Sequence, residues 1–514
     1  MHINLFNQFK YNPGKPSQKQ SNSGDVRIQT LAYNDVHGNL PALSRLKTEV
    51  DRFVSSKPQG VIRNVVDAGD ASVGAHEQKN RAIVAITNEI APVRSPGNHE
   101  WDFFGSKGYS KMLDNAKFKT LALNLVPKTG SEFQDDIDAG RLAKSHVVDE
   151  NGVKIGYIGL IPCDLKNRLN KQCKDNSTDI DVLPLNETIK AVQEEVNKLE
   201  AQGVKIIHVI SHMGYDADVE LIKNVAGVDI VNGGHSHTLL DGIVPGKNYF
   251  ISKRGEPVIL TQAFKNGHYV GYLDVEYKNG IIDKAKYEVK NIDNNPQSLV
   301  VKMIENKYLG APKVIGTMAH SVKALPEYVL EESPLNSFLC DGYKKYTGAQ
   351  IVFNNLGTMR YSMPEGQITD RQVMDILPYY NDVFTYKLSE KDIITALNGA
   401  IEAAGKYNRT GALQVSGLRY TIGKDNKVKD VFLVNDDGTE EKLNSDNPSS
   451  DKFYTVAYNS FLGGGTEGLA VLNAPEKIVS KCDRTETDIF RDYIASFNNQ
   501  PISIEKTGRI IKES

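Results

Sequence analysis

Five apolar runs in the first half of this chain end in Asp, His or Asn, most with glycine alongside, and this recurrence constrains the fold more than any other feature. Val26 to Tyr33 alternates as a strand and runs into Asn34-Asp35-Val36-His37-Gly38. A helix follows, with Leu40, Leu43, Leu46, Val50 and Phe53 at helical spacing. Val61 to Ala68 ends in Gly69-Asp70, and a strand reaching Val93 delivers Ser95-Pro96-Gly97-Asn98-His99-Glu100-Trp101-Asp102. Pro96 fixes one backbone angle there and Gly97 lets the chain turn. After a strand at Val153 to Leu160 and a helix at Leu185 to Leu199, Val204 to Ile210 ends in Ser211-His212-Met213-Gly214. Val228 to Val231 ends in Gly233-Gly234-His235-Ser236-His237; Pro257 to Gln262 and Tyr269 to Tyr277 complete the sheet. Strands alternating with helices predict an α/β fold, whose ligands bind at the strand ends.

Asp35 and His37 are two apart at a strand end, so both can point one way and form half of a metal site. An Asn98 oxygen can bind a metal, and His99 beside it can donate to a substrate oxyanion. Asp102 can hold that imidazole and favour its charged form. Each residue has a plain alternative: His212 as a satisfied core histidine, Asp70 as a turn former, Asn34 or Asn98 as a cap. Their recurrence at one end of consecutive strands favours the site. Oxygen ligands and imidazoles without thiolate suit Mn²⁺, Zn²⁺, Co²⁺, Fe²⁺ or Mg²⁺, and the set suffices for two ions.

The chain has 514 residues, enough for two or three domains, and 40% hydrophobic content suits a globular protein. A net charge of −3 gives no reason to expect a nucleic-acid polymer as partner. No apolar run approaches the roughly 20 residues that span a bilayer. Residues 1–25 read as a disordered leader without the apolar core of a signal peptide. Cys163 and Cys173 bracket a polar loop as either a disulfide or two free thiols.

Asp293-Asn294-Asn295-Pro296 reads as a boundary, with Val300 to Tyr308 a connecting helix; the segments are 26–292, a linker at 293–330, and 331–514. The last mixes helices (Pro334 to Tyr346, one capped by Thr369, one opened by Ser389 and Asp392) with strands at Ala349 to Phe353, Leu413 to Ile422, Val428 to Val434 and Phe453 to Ala457. Three loops stand out: Asn354-Asn355-Leu356-Gly357-Thr358-Met359-Arg360, with a cation suited to phosphate; Leu377-Pro378-Tyr379-Tyr380-Asn381; and Asn459-Ser460-Phe461 before a triple glycine. Tyr379 and Phe461 either sandwich a planar base or anchor their loops to the core.

The blocks D-V-H-G, A-G-D, G-N-H-E, S-H-M-G and G-H-S-H resemble, in order, the signature of calcineurin-like metallophosphoesterases. With the loops of the second half, the resemblance extends to the two-domain 5′-nucleotidase/UDP-sugar hydrolase family from about Ile28 to Ile494. It implies a four-layer α/β/β/α metallophosphoesterase domain followed by an α+β substrate-binding domain. It implies two divalent ions, one among Asp35, His37, Asp70 and His237 and the other among Asp70, Asn98, His212 and His235, with Asp70 bridging. His99 then stabilises the phosphoryl transition state and Asp102 orients it. For the substrate it implies Asn355 and Arg360, with Arg360 on phosphate, Asn381 and Gly417 near the nucleoside, Tyr379 and Phe461 stacking the base, and Glu467 on the ribose. The chain departs from the family in having no arginine between Val301 and Met359; Glu331 and Glu332 stand there, and Arg409 is a possible substitute. The implied reaction is hydrolysis of nucleoside 5′-monophosphates, or also of nucleotide diphosphate linkages. The alternatives are a 2′,3′-cyclic phosphodiesterase/3′-nucleotidase, a non-catalytic nucleotide-binding protein, or a sulfur-oxidation hydrolase of similar fold. Members of this family act mostly outside the cytoplasm.

Overall fold

The structure, a computed structural model, describes residues 25–56, 58–326, 329–407, 411–465 and 468–513. The leader, Arg409 and Glu467 lie outside the described residues. The chain divides into two compact units, one ending at Gly310 and the other beginning at Ala311. The helix read as a connector, Leu299–Leu309, belongs to the first unit: Val301 is buried with Leu43, Leu46 and Ile83 of the helices Leu40–Ser55 and Glu77–Thr87.

In the first unit the strands read along the sequence as one sheet form two, as the four layers implied by the resemblance require. One has seven strands, ordered Ile281–Asn291, Tyr269–Lys278, Val26–Tyr33, Val61–Asp67, Val93–Arg94, Lys119–Leu121 and Leu142–Ala143. The other has six: Tyr249–Ile251, Pro257–Thr261, Ile230–Gly233, Ile206–Ser211, Val153–Leu160 and Ser145–Glu150. Central strands of both run parallel, as strand–helix–strand connections require. Ile28, Ile62 and Val66 of the first sheet share one apolar core with Ile158, Val209 and Val231 of the second, so the sheets stack face to face. Helices Leu40–Ser55 and Glu77–Thr87 cover Leu31 and Val65 on the outer face of the first sheet. Leu185–Ala201 and Tyr215–Asn224 bury Val192, Val196 and Leu221 against the second. These are the four layers α/β/β/α. Among the described residues no helix is long and apolar enough to cross a membrane, and all four cysteines are free.

The second unit is built on a five-stranded sheet, ordered Gln414–Ser416, Ile351–Asn354, Phe453–Asn459, Asp382–Ser389 and Ile478–Thr485. Alternate residues face opposite cores. Phe353, Tyr458 and Leu388 join helix Glu390–Tyr407, while Val352, Ala457 and Val383 join helices Pro334–Thr347 and Glu486–Ala495. Thr369 forms a capping box with Gln372, and Ser389 exchanges two hydrogen bonds with Asp392. The strand expected over Leu413 to Ile422 is broken at Gly417. With φ of +71° and only 2.0 Å from a would-be Cβ to the Gln350 carbonyl oxygen, that position needs glycine, and beyond it the chain enters a separate four-stranded sheet.

His208, mid-strand in Ile206–Ser211, is enclosed between the first unit's layers beside the Tyr157 ring, 5.5 Å away. Burial pushes its pKa down to about 4, against a smaller upward pull from Asn232. The folded chain therefore binds fewer protons than the unfolded one as pH falls from about 6.5 to about 4, and stability drops across that window. The loss is about 3 kcal/mol at about 1.4 kcal/mol per pH unit. His208→Leu should remove it: urea midpoints of wild type and variant should diverge between pH 7 and pH 4. Parallel pH profiles would contradict this account.

Candidate metal centre

The strands that end in candidate ligands come from both sheets, and their loops converge. Asp35, His37, Asp70, Asn98 and His99 come from the seven-stranded sheet; His212, His235 and His237 come from the six-stranded one. Backbone bonds continue the ladder beyond the strands, Asp35 N–H to Gly69 O at 2.9 Å and His37 N–H to Asp70 O at 2.8 Å.

Three overlapping clusters result among the described residues, Asp35–His37–His237, Asp70–His212–His235 and His37–Asp70–His99, with the ligand-type atoms of each within 4.8 Å of one another. Each carboxylate gives one oxygen to a backbone N–H and turns the other to imidazoles. Asp35 Oδ2 accepts from His235 N–H at 2.9 Å and Asn34 Nδ2 at 2.6 Å, while Oδ1 faces Nε2 of His237 at 3.3 Å and of His37 and His212 at 3.7 Å. Asp70 Oδ1 accepts from His99 N–H at 2.8 Å, while Oδ2 lies 3.1 Å from His212 Nε2 and 3.5 Å from His37 Nε2. Outer partners fix the rings: His37 Nδ1 donates to Asn266 Oδ1 at 3.1 Å and His212 Nδ1 to Ala68 O at 2.5 Å.

This pocket calls for positive charge. Asp35 and Asp70 are buried, and neither pairs with a lysine or arginine among the described residues. Burial alone would raise both carboxyls, but His212 and its neighbouring imidazoles outweigh it and hold them below the usual range. Conversely, the two carboxylates overcome the burial of His212 and push it up to about 10. Burial, then the His212 charge, push His235 down to about 4, leaving it neutral, the form of imidazole able to ligate a metal. Asn98 Oδ1 and Asp35 Oδ1 are buried without a hydrogen-bond donor. Oxygen and imidazole donors aimed into one charge-hungry space fit divalent cations.

His99 lies at the rim. Its Nδ1 is 2.7 Å from Asp102 Oδ2, which also accepts the Gly74 N–H at 2.8 Å. Of the two alternatives for Cys163 and Cys173, the structure shows free thiols: Cys173 Sγ donates to the Asp102 carbonyl at 3.3 Å, while Cys163 packs on Met213.

In the second unit, Asn355, Arg360, Tyr379, Asn381 and Phe461 are all half-buried. Asn355, Asn381 and Phe461 border one sheet edge: Asn459 Nδ2 donates to Asn355 Oδ1 at 3.3 Å and Ser460 Oγ to Asn381 Oδ1 at 3.3 Å. Phe461 packs, partly buried, against the core that holds Tyr458 and Leu462. Gly417 is not with them. Val352 pairs with Ser416 and Asn354 with Gln414, so Gly417 follows the far end of the strand that leads into Asn355. Glu332, where the family carries arginine, accepts the N–H groups of Thr507, Gly508 and Arg509 at 2.9, 2.8 and 2.9 Å and serves as a latch.

Sequence reasoning missed Asn266, whose only signal is its Asn-Gly turn, and Glu100, which stood inside the G-N-H-E block. Glu100 is buried and accepts the N–H groups of Asp70 at 3.1 Å, Ala71 at 2.9 Å and Gly97 at 2.7 Å.

Residues 314–474 match the family model of the 5′-nucleotidase C-terminal domain. The chain is 26% identical to the trifunctional nucleotide phosphoesterase protein YfkN of Bacillus subtilis over 94% of its own length, spanning 35% of that longer protein. It is 27% identical to an apyrase of Anopheles gambiae, covering 81% of this chain and 75% of the apyrase. The solved 5′-nucleotidase precursor of Thermus thermophilus superposes with a TM-score of 0.74 at 25% identity, over 95% of this chain and 99% of that one.

A Cβ on Gly97 would lie 2.1 Å from Asp70 Oδ1 and 2.6 Å from His212 Nε2. Gly97→Ala must therefore displace two candidate ligands. Titration calorimetry of Mn²⁺ into metal-stripped protein should show about ten- to hundredfold weaker binding. Unchanged affinity would mean that Asp70 and His212 do not hold metal.

Proposed function

We propose that this chain, a member of the 5′-nucleotidase family, is a metal-dependent hydrolase that cleaves nucleoside 5′-monophosphates to nucleoside and phosphate. The observation that carries this reading is the pair of clusters, Asp35–His37–His237 and Asp70–His212–His235, with the His99–Asp102 pair alongside.

Two divalent cations from the Mn, Zn, Co, Fe and Mg set, held by Asp35, His37, Asp70 and His237 and by Asp70, Asn98, His212 and His235, would lower the pKa of water and neutralise phosphoryl oxygens. The chain's own groups do the rest. Asp70 serves both clusters, since its Oδ2 is near His37 and His212 while its Oδ1 is fixed by the His99 N–H. In the hydrolysis a water oxygen bonds to phosphorus, the bond from phosphorus to the 5′-oxygen breaks, and that oxygen leaves with a proton as nucleoside. Asp102 Oδ2, 2.7 Å from His99 Nδ1, orients the ring, and we assign His99 Nε2 as the donor to a phosphoryl oxygen gaining charge. We assign nucleoside recognition to the second unit: Arg360 to phosphate, Asn355 and Asn381 to polar contacts, Tyr379 and Phe461 to the base, and Glu467 to the ribose. Gly417 is left out of the set, because its backbone geometry already accounts for it.

Phosphate release from AMP should cease when the protein is stripped by chelator and return with Mn²⁺. Turnover by verified metal-free protein would overturn the proposal. Faster hydrolysis of a nucleoside 2′,3′-cyclic monophosphate would move the assignment to the cyclic phosphodiesterases.

His99→Asn should leave bound Mn²⁺ unchanged and lower kcat by about 10²–10³. If metal is lost instead, His99 is a ligand. Tyr379→Ala or Phe461→Ala should raise KM for AMP about ten- to hundredfold, the range expected for one stacked base. Hydrolysis of para-nitrophenyl phosphate should change far less; equal losses on both substrates would make the aromatics loop anchors.

A further inference from the structure

The substrate loops assigned above all begin or end at one edge of the five-stranded sheet, and the group that joins them lies in none of them. Val352 pairs with Ala457 in parallel, Val383 lies opposite Asn459, and Asp382 lies opposite Thr485. The ends of four strands, at Asn354, Asn459, Asp382 and Thr485, therefore meet at this edge.

There, wholly buried, is Glu486, the first residue of helix Glu486–Ala495. Its Oε2 accepts from Tyr343 Oη at 2.9 Å, Thr358 Oγ1 at 3.0 Å and Asn459 Nδ2 at 3.1 Å. Its Oε1 accepts from Asn381 Nδ2 at 2.7 Å and, at 3.4 Å, from the Asn381 N–H. Its own N–H donates to the Asn381 carbonyl at 2.9 Å. Among the described residues no lysine or arginine pairs with it. The bonds continue outward: Asn459 Nδ2 also donates to Asn354 Oδ1 at 3.3 Å, and Asn459 Oδ1 accepts the Leu462 N–H at 3.0 Å. Each loop is thus one or two hydrogen bonds from a single carboxylate: 354–360 through Thr358, 379–381 through Asn381, and 459–462 through Asn459.

We infer that Glu486 is a positioning residue, which fixes the three loops of the second unit in the arrangement that receives the nucleoside. The inference rests on the assignment of those loops to nucleoside recognition. A carboxylate suits the position because every group converging on it is a donor, and an ionised carboxylate only accepts. A glutamine there would turn an NH₂ toward other N–H or O–H groups and leave a buried donor unpaired.

The test uses the full chain with Mn²⁺ and the variants Glu486→Gln and Tyr343→Phe. The second removes one donor from the core side without altering any loop, so it carries the test if the first fails to fold. Glu486→Gln should raise KM for AMP about tenfold with kcat nearly unchanged, while hydrolysis of para-nitrophenyl phosphate stays near wild type. Tyr343→Phe should shift KM the same way by less. Hydrogen exchange of the free proteins should quicken together in peptides covering 354–360, 379–382 and 459–465, with the rest of the unit unchanged. Equal losses on both substrates with faster exchange throughout the unit would overturn the inference, leaving an ordinary structural residue. Unchanged KM with unchanged exchange would overturn it as well. If wild type hydrolyses the aryl phosphate but not AMP, the nucleotide assignment fails by itself. Exchange then decides alone: a rise confined to the three loops supports the positioning role, and no rise removes it.

Discussion

The metal-centre loops of the first unit hang on a buried ion network that touches no candidate ligand side chain. Arg94, at the end of the short strand Val93–Arg94, lies between Asp67 and Glu100, with Nε 3.0 Å from Asp67 Oδ2 and Nη2 2.7 Å from Glu100 Oε1. All three are buried, a cost of several kcal/mol per ion that only close geometry and further hydrogen bonds offset. Those bonds are supplied by the loops: Gly69 N–H to Asp67 at 3.0 Å, and the N–H groups of Asp70, Ala71 and Gly97 to Glu100. Two carboxylates share one guanidinium, and burial pushes Asp67 up to about 6. The network therefore carries surplus negative charge, and backbone N–H groups are what remain to balance it. Loop conformation and charge balance are one constraint here.

That constraint explains how the site keeps an unfavourable backbone. Asp35, His37, Asp70, His235 and His237 all have φ between +51° and +72°, the left-handed region that side chains with a Cβ disfavour. Each such residue costs on the order of 1–3 kcal/mol and persists only where its surroundings over-determine it. Here they do. Asp70 N–H is bound by Glu100, Asp35 N–H by Gly69 O, His37 N–H by Asp70 O, and His235 N–H by the Asp35 carboxylate. The reward is directional. A left-handed residue at a strand end turns its side chain out of the alternation of the strand, so ligands from neighbouring strands reach one point.

This bears on what the sequence made legible. The strand-and-helix alternation, the ligand types and their strand-end placement were all readable, because apolar periodicity and glycine punctuation are local. The split into two stacked sheets was not readable from periodicity, and only the family resemblance implied it. A strand such as Ile206–Ser211, buried on both faces, reads the same in either sheet, and only pairing reveals its partners. Gly417 was placed near the nucleoside only by the family resemblance; in the structure it makes a sheet corner. The left-handed backbone of these residues left no trace, since Asp and His are found far more often in other conformations and nothing in their spacing marks the exception. Glu486 was invisible for a related reason. Its Thr485-x-x-Asp488 surroundings read as a helix start, which they are, and the donors that converge on Glu486 come from residues as far apart in sequence as Tyr343 and Asn459.

The two units thus reach the same solution at their working edges. Each places a buried carboxylate beneath the loops that carry polar groups, so that donors from separate loops are tied to one acceptor. They differ in how its charge is balanced. Glu100 lies under a site that also buries Asp35 and Asp70, and a further uncompensated anion there would compete with the ligand carboxylates for positive charge; Arg94 removes that competition. Glu486 has no such neighbours; burial raises its pKa, and the hydroxyl and amide donors offset that only in part. Neutral donors suffice where no second buried anion must be kept ionised. The choice between guanidinium and neutral donors therefore follows from how many carboxylates are buried at each edge.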